Sequence, residues 1–166
     1  MPKTQFTDAI ALLKADHRKV EDLFDKFEKA RSNKQKIAEE ICNELKIHAA
    51  IEEEIFYPSF RGKIEDDVLN EAYVEHDGVK VLVNDIASGG DDEFYDAKVT
   101  VLGEKVRHHV HEEERRGDGM FAQVRKTEVD LVELRDRMMA RKQELMQQAK
   151  SGGLPPAQLA VVQLAA

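Results

Sequence analysis

The sequence predicts an all-α fold: an up-down antiparallel four-helix bundle with an additional C-terminal helix. Three observations carry that prediction. Apolar residues recur every three or four positions in four long segments, short polar breaks separate those segments, and neither strand-like alternation nor a glycine-rich phosphate loop appears in the 166 residues. The composition agrees, being rich in Ala, Leu, Val, Glu, Lys and Arg and lacking Trp.

The first segment opens at Thr7 as N-cap, carries Ile10, Leu13, Val20, Phe24 and Phe27 on one stripe, and stops at "RSNK". The second carries Ile41, Leu45, Ile55 and Phe56 and is expected to stop near Pro58, because proline disfavours helix in the residue before it. The third, with Leu69, Val79, Val83 and Ile86, ends at "SGGDD", where Gly89 and Gly90 suit a helix stop. The fourth, with Val99, Leu102 and Val106, breaks at "RRGDGM", whose glycines suit a helix stop or a mobile cover. Together these segments make a bundle over residues 1–126. A fifth helix is expected over 127–150, from the capping-type "TEVD" through Leu131, Leu134, Met138 and Leu145, and residues 151–166 read as linker and tail.

Charge and cysteine usage narrow the function. A formal charge of −8 with no basic, aromatic-interleaved patch argues against nucleic acid as a partner. The N-terminus is too charged for a signal peptide, and no apolar run approaches the ~18 residues of a membrane span. The single Cys42 cannot form an internal disulfide, so a cytoplasmic setting is expected.

The informative step is to place the histidines on the stripes. Residues three or four apart share a helix face. His17 falls between Leu13 and Val20, His48 and Glu52 between Leu45 and Ile55, His76 between Ala72 and Val79, and His109 and Glu113 continue the stripe of Val106. Every helix of the bundle thus turns one histidine inward, and two add a carboxylate one turn on. His108 and His111 leave the stripe by roughly 100° and 200° at the α-helical pitch. Together with Glu112 and Glu114 they read as a solvated face, and Tyr57 points away from His48 by the same count.

A buried carboxylate without a counter-charge costs several kcal/mol, and no Lys or Arg lies on these stripes near the two glutamates. A metal supplies the missing charge. Four imidazoles and two carboxylates exceed one tetrahedral zinc site. They suit two octahedral first-row ions about 3.5–4 Å apart, with both glutamates and a solvent-derived oxo or hydroxo group bridging. Mixed N/O ligation favours iron, then manganese or zinc.

At these residues the sequence resembles the hemerythrin family, specifically its bacterial HHE cation-binding type. The matching segments are "LLKADHRKV", "HAAIEEEIFYP", "EAYVEHDGVKVLV" and "HHVHEEE", within roughly residues 7–125. The resemblance implies a non-heme di-iron site held by His17, His48, Glu52, His76, His109 and Glu113, with Glu52 and Glu113 bridging. It also implies dioxygen, peroxide, nitric oxide or iron itself as the species handled. Two departures separate this chain from the oxygen carriers of that family. The carriers have a second histidine four residues from the first on the third helix, but here position 72 is Ala and position 80 is Lys, and Glu113 follows His109 by four residues where they place an Asp at five. Oxygen or peroxide sensing, or peroxide turnover, is therefore favoured over reversible oxygen storage.

Tyr73, three residues before His76, is the candidate to hydrogen-bond near the site. Whether the protein is an enzyme stays open, since no substrate pocket is legible. A second reading is an iron-binding or iron-sensing module that signals to a protein partner through residues 127–150. A third is a structural bundle using Met138, Met139 and Met146 to bind another helix.

Overall fold

The computed structural model describes residues 5–90 and 92–165. All regular structure among them is helical: α1 Ala9–Lys29, α2 Lys34–Ile51, a π-helical turn Glu52–Phe56, α3 Tyr57–Phe60, α4 Asp66–Ser88, α5 Tyr95–Glu114, α6 Met120–Val124 and α7 Leu131–Ser151. α1 packs against α2 and α5, and α4 packs against the same two, which closes a four-helix ring in up-down order. The expected bundle and its added C-terminal helix are both present.

Several element ends differ from the sequence expectation. Asp8, not Thr7, caps α1, its Oδ1 accepting the Ala11 N–H at 2.9 Å. Asp130 caps α7 by accepting from Val132 and Glu133, three residues beyond the Thr that opens "TEVD". The second helix does not stop at Pro58. It widens into the π-turn, where the Tyr57 N–H reaches back five residues to the Glu52 carbonyl, and then runs on to Phe60. Proline has no N–H to contribute and its ring would clash with the carbonyl four residues back, so a widened turn just ahead accommodates it. After α5, Gly117 adopts φ +87° and the Arg115 side chain bridges to Asp118 at 2.7 Å, making "RRGDG" an ordered stop.

The core has two apolar clusters with a polar waist between them. One end packs Ile10, Leu12, Leu13, Phe56, Phe60, Leu69, Met120 and Phe121. The other packs Val20, Phe24, Phe27, Ile41, Leu45, Val83, Val99 and Leu102. Leu134 and Met138 of α7 are fully buried in the first cluster. The apolar face expected to await a partner is therefore spent on the chain's own bundle, and Met138 is core, not a helix-binding surface. Burying a side chain of that size removes apolar surface worth about 1.5–3 kcal/mol. No described helix is long and apolar enough to cross a membrane.

Candidate metal centre

The waist holds His17, His48, Glu52, His76, His109 and Glu113, all buried, with Glu52 0% and Glu113 1% exposed. One donor atom each from His17, His48, Glu52 and Glu113 lies within 4.8 Å of the others, and Glu52, His76 and His109 form a second such group. Glu52 belongs to both groups. Its Oε1 abuts His48 Nε2, and its Oε2 lies 3.4 Å from His76 Nε2 and 3.9 Å from His109 Nε2. Glu113 Oε1 similarly stands 2.7 Å from His109 Nε2 and 3.7 Å from His17 Nε2.

A ring of acids fixes each imidazole. Glu114 takes the Nδ1 side of His17 at 2.8 Å, Asp16 that of His48 at 3.0 Å, Glu53 that of His76 at 2.7 Å, and Glu75 that of His109 at 3.0 Å. With Nδ1–H donating outward, every Nε2 lone pair aims at the centre, the arrangement that carboxylate-backed metal ligands use. Each acid sits on the helix beside its histidine: α5 serves α1, α1 serves α2, the π-turn serves α4, and α4 serves α5. Cations back three of these acids, Arg18 on Glu114, Lys142 on Asp16 and Lys80 on Glu53, and exposed His108 stands 3.1 Å from Glu75. Glu114 is thus not part of a solvated face, and no stripe pattern could show a residue used by a neighbouring helix. The signal that was there is adjacency: Asp16–His17, Glu52–Glu53, Glu75–His76 and Glu113–Glu114 each place an acid next to an inward residue.

Tyr57 is the second residue that periodicity hid. It is fully buried, with its hydroxyl 3.1 Å from His76 Nε2 and 3.3 Å from His109 Nε2. In a regular helix it would sit about 180° from His48, but the π-turn inserts one residue and brings it back to about 80°. Tyr73, the expected neighbour of the site, instead packs edge-on against Tyr57 with ring centroids 5.4 Å apart. Burial first, then Glu113 and Glu52, push the Tyr57 hydroxyl well above its ordinary pKa, so it stays a neutral donor.

Six buried atoms at the waist have no hydrogen-bond partner: His17 Nε2, His48 Nε2 and both carboxylate oxygens of Glu52 and of Glu113. The short approaches to Glu52 and Glu113 are contacts of charge without hydrogen-bond geometry. Such atoms are costly to bury unless a cation stands among them. Protons can play that part in the metal-free chain. Burial lowers the pKa of His48, but Glu52 and Asp16 outweigh it and carry it up to about 10. His109 is likewise raised, Glu113 overcoming its burial, while His48 and His109 hold Glu52 well below the usual carboxylate range against burial. The donor set and its orphaned atoms therefore fit a metal. A cavity of about 40 Å³ adjoins them, lined by all four histidines and by Val20, Val83 and Ala157, among others. That is room for roughly three water-sized molecules.

A four-helix bundle with an inward His from every helix and an inward Glu from two is the layout of cation sites built in bundle cores. The chain belongs to the hemerythrin family: the model for the hemerythrin HHE cation-binding domain matches residues 8–116. In solved structures it is similar to a hemerythrin HHE cation-binding domain-containing protein from Mycobacterium kansasii. Identity there is 24%, the TM-score is 0.70, and the match covers 90% of this chain and 96% of that one. Among curated proteins it is 34% identical over 119 residues to a DNA nickase of Nostoc sp. strain PCC 7120, over 69% of this chain but 32% of the relative. The chain thus spans about a third of that relative's length.

Proposed function

We propose that the chain binds two first-row metal ions at its waist, iron before manganese or zinc, and uses them to sense or turn over dioxygen or peroxide. The cytoplasm is the proposed setting. The observation that carries the reading is the set of six orphaned atoms on His17, His48, Glu52 and Glu113, beside the paired Nε2 atoms of His76 and His109. In this reading all six residues are ligands, with Glu52 and Glu113 bridging. Bound iron would supply the one-electron redox chemistry that dioxygen, peroxide or nitric oxide requires.

The chain's own residues do the rest. Asp16, Glu53, Glu75 and Glu114 hold the tautomer and aim of the imidazoles, so little reorganisation accompanies binding. Tyr57 offers a neutral hydroxyl on the His76–His109 side, able to donate a hydrogen bond to a small ligand there. Val20, Val79, Val83, Val106 and Val110 make much of the cavity wall apolar, which strengthens polar contacts inside.

Anaerobic purification, metal analysis and an optical spectrum before and after air test the proposal. Close to two ions per chain and peroxide consumption faster than free iron are expected. One ion or none in a metal-replete preparation overturns the dinuclear reading. Metal-dependent capture of a partner protein without peroxide consumption would instead favour an iron-sensing module.

A further inference from the structure

Residues 154–162 are not a loose tail. Beyond α7, Gly153 at φ +84° turns the chain, and residues 154–162 lie back across α4. Three α4 side chains on one face grip this strap by its backbone. The Asn84 amide pairs both ways with Ala157, at 2.8 Å each. Lys80 Nζ donates to the Gln158 carbonyl at 3.0 Å. Asp77, fully buried, accepts the Ala160 N–H on Oδ1 at 2.7 Å and those of Val161 and Val162 on Oδ2 at 2.7 and 2.6 Å. A carboxylate taking three backbone donors is a strong, directional anchor.

The strap lies where it matters. Ala157 is part of the wall of the cavity that the four histidines line. Lys80, which holds the strap at Gln158, also donates to Glu53 Oε1 at 2.8 Å, and Glu53 takes His76 Nδ1. We propose that residues 154–162 form a latched gate that sets the size of molecule reaching the waist, with Asp77 and Asn84 as positioning residues for the latch. Water, dioxygen and peroxide fit a cavity of about 40 Å³ with the strap in place; a bulky oxidant or chelator needs the strap lifted. The proposal rests on the reading of the waist as a metal site.

Two full-length variants test it, Asp77→Asn, which leaves one oxygen for three donors, and Asn84→Ala, which releases Ala157. Wild type and variants are loaded with iron, their metal content and helicity are compared, and the rate of iron removal by a sulfonated phenanthroline is measured beside the rate of azide binding. Losing a hydrogen bond to a charged group raises the open population roughly tenfold or more, so Asp77→Asn should speed removal by about that factor. Asn84→Ala should speed it by a few-fold, and azide binding should change by less than about twofold in both, since azide already fits the closed cavity. Faster amide exchange at Ala160, Val161 and Val162 should accompany the Asp77 change. Equal removal rates from equally loaded proteins overturn the gate and leave the metal site standing. A chain that takes up no metal overturns the site, and the gate with it.

Discussion

The two sides of the waist are built differently. Around His17 and His48 only the Glu52 and Glu113 carboxylates approach the middle, and both Nε2 atoms lack a hydrogen-bond partner. Around His76 and His109 the Tyr57 hydroxyl fills the middle, and the two Nε2 atoms lie 3.1 Å apart. One phenol proton cannot serve two lone pairs, so that side also calls for a cation, but it meets one with a hydroxyl already in place. Six donor residues of similar type therefore make two unlike halves of the proposed site, and the difference comes from Tyr57, which helical periodicity turns away.

The largest expected effect comes from breaking what the two sides share. Glu52→Ala should take metal content from near two to near zero, because Glu52 belongs to both donor groups. Chelation of the intact protein should lower its melting temperature by about 8–16 °C, if free metal stands roughly 1,000-fold above its Kd, a linkage of about 4 kcal/mol. Equal melting of loaded and stripped protein would mean that the waist does not hold metal.

Acidity sharpens the same point. A histidine with a raised folded-state pKa stabilises fully below its unfolded value near 6.5, and that stabilisation is lost as pH rises through the folded value, about 10 for His48. The lowered carboxylates Glu52 and Glu113 act oppositely, stabilising above about 4.5 and failing as pH falls through their folded values. Stripped protein should therefore weaken from pH 6.5 upward, while metal binding, which displaces those protons, should strengthen. The melting gap between loaded and stripped forms is expected to widen from pH 6.5 to 9, and a flat gap in calorimetry would contradict it.

Tyr57→Phe tests the asymmetry directly. Two ions should remain, but azide affinity should change by roughly two- to tenfold, the worth of one buried hydrogen bond, while Tyr73→Phe should leave it alone. A like response from both would remove the distinction between the two sides. The smallest effects belong to His108→Ala and His111→Ala, which should keep metal content and cost under about 1 kcal/mol in denaturation, as exposed pairs do. His108 should cost the more of the two, since it touches Glu75.

The six inward His and Glu residues were legible because a helix repeats its faces at a fixed interval, and each lay on an unbroken apolar stripe. What escaped lay outside that rule. Tyr57 was rotated inward by the π-turn, whose sequence trace is a proline in a run that stays helical. Asp77 and Lys80 are buried beneath the strap that returns over them from beyond α7, a contact across some eighty residues that no local pattern encodes. Of the four supporting acids, Glu114 reads from the sequence as solvated surface charge and the stripes assign Asp16, Glu53 and Glu75 no role, because their partners stand on other helices.

Those four acids also give the waist a rotational sense. Along the chain they come before, after, before and after the inward residue they adjoin: Asp16–His17, Glu52–Glu53, Glu75–His76, Glu113–Glu114. Successive helices of the bundle run in opposite directions, so this alternation turns all four carboxylates the same way around the bundle axis. Apolar stripes alone would tolerate a left-turning or a right-turning arrangement of four helices. In the arrangement of opposite hand each carboxylate would still meet an imidazole, but that of the other neighbouring helix. The ring thus makes the aim of every inward histidine depend on one neighbouring helix, so that displacing a single helix frees the imidazole of the next.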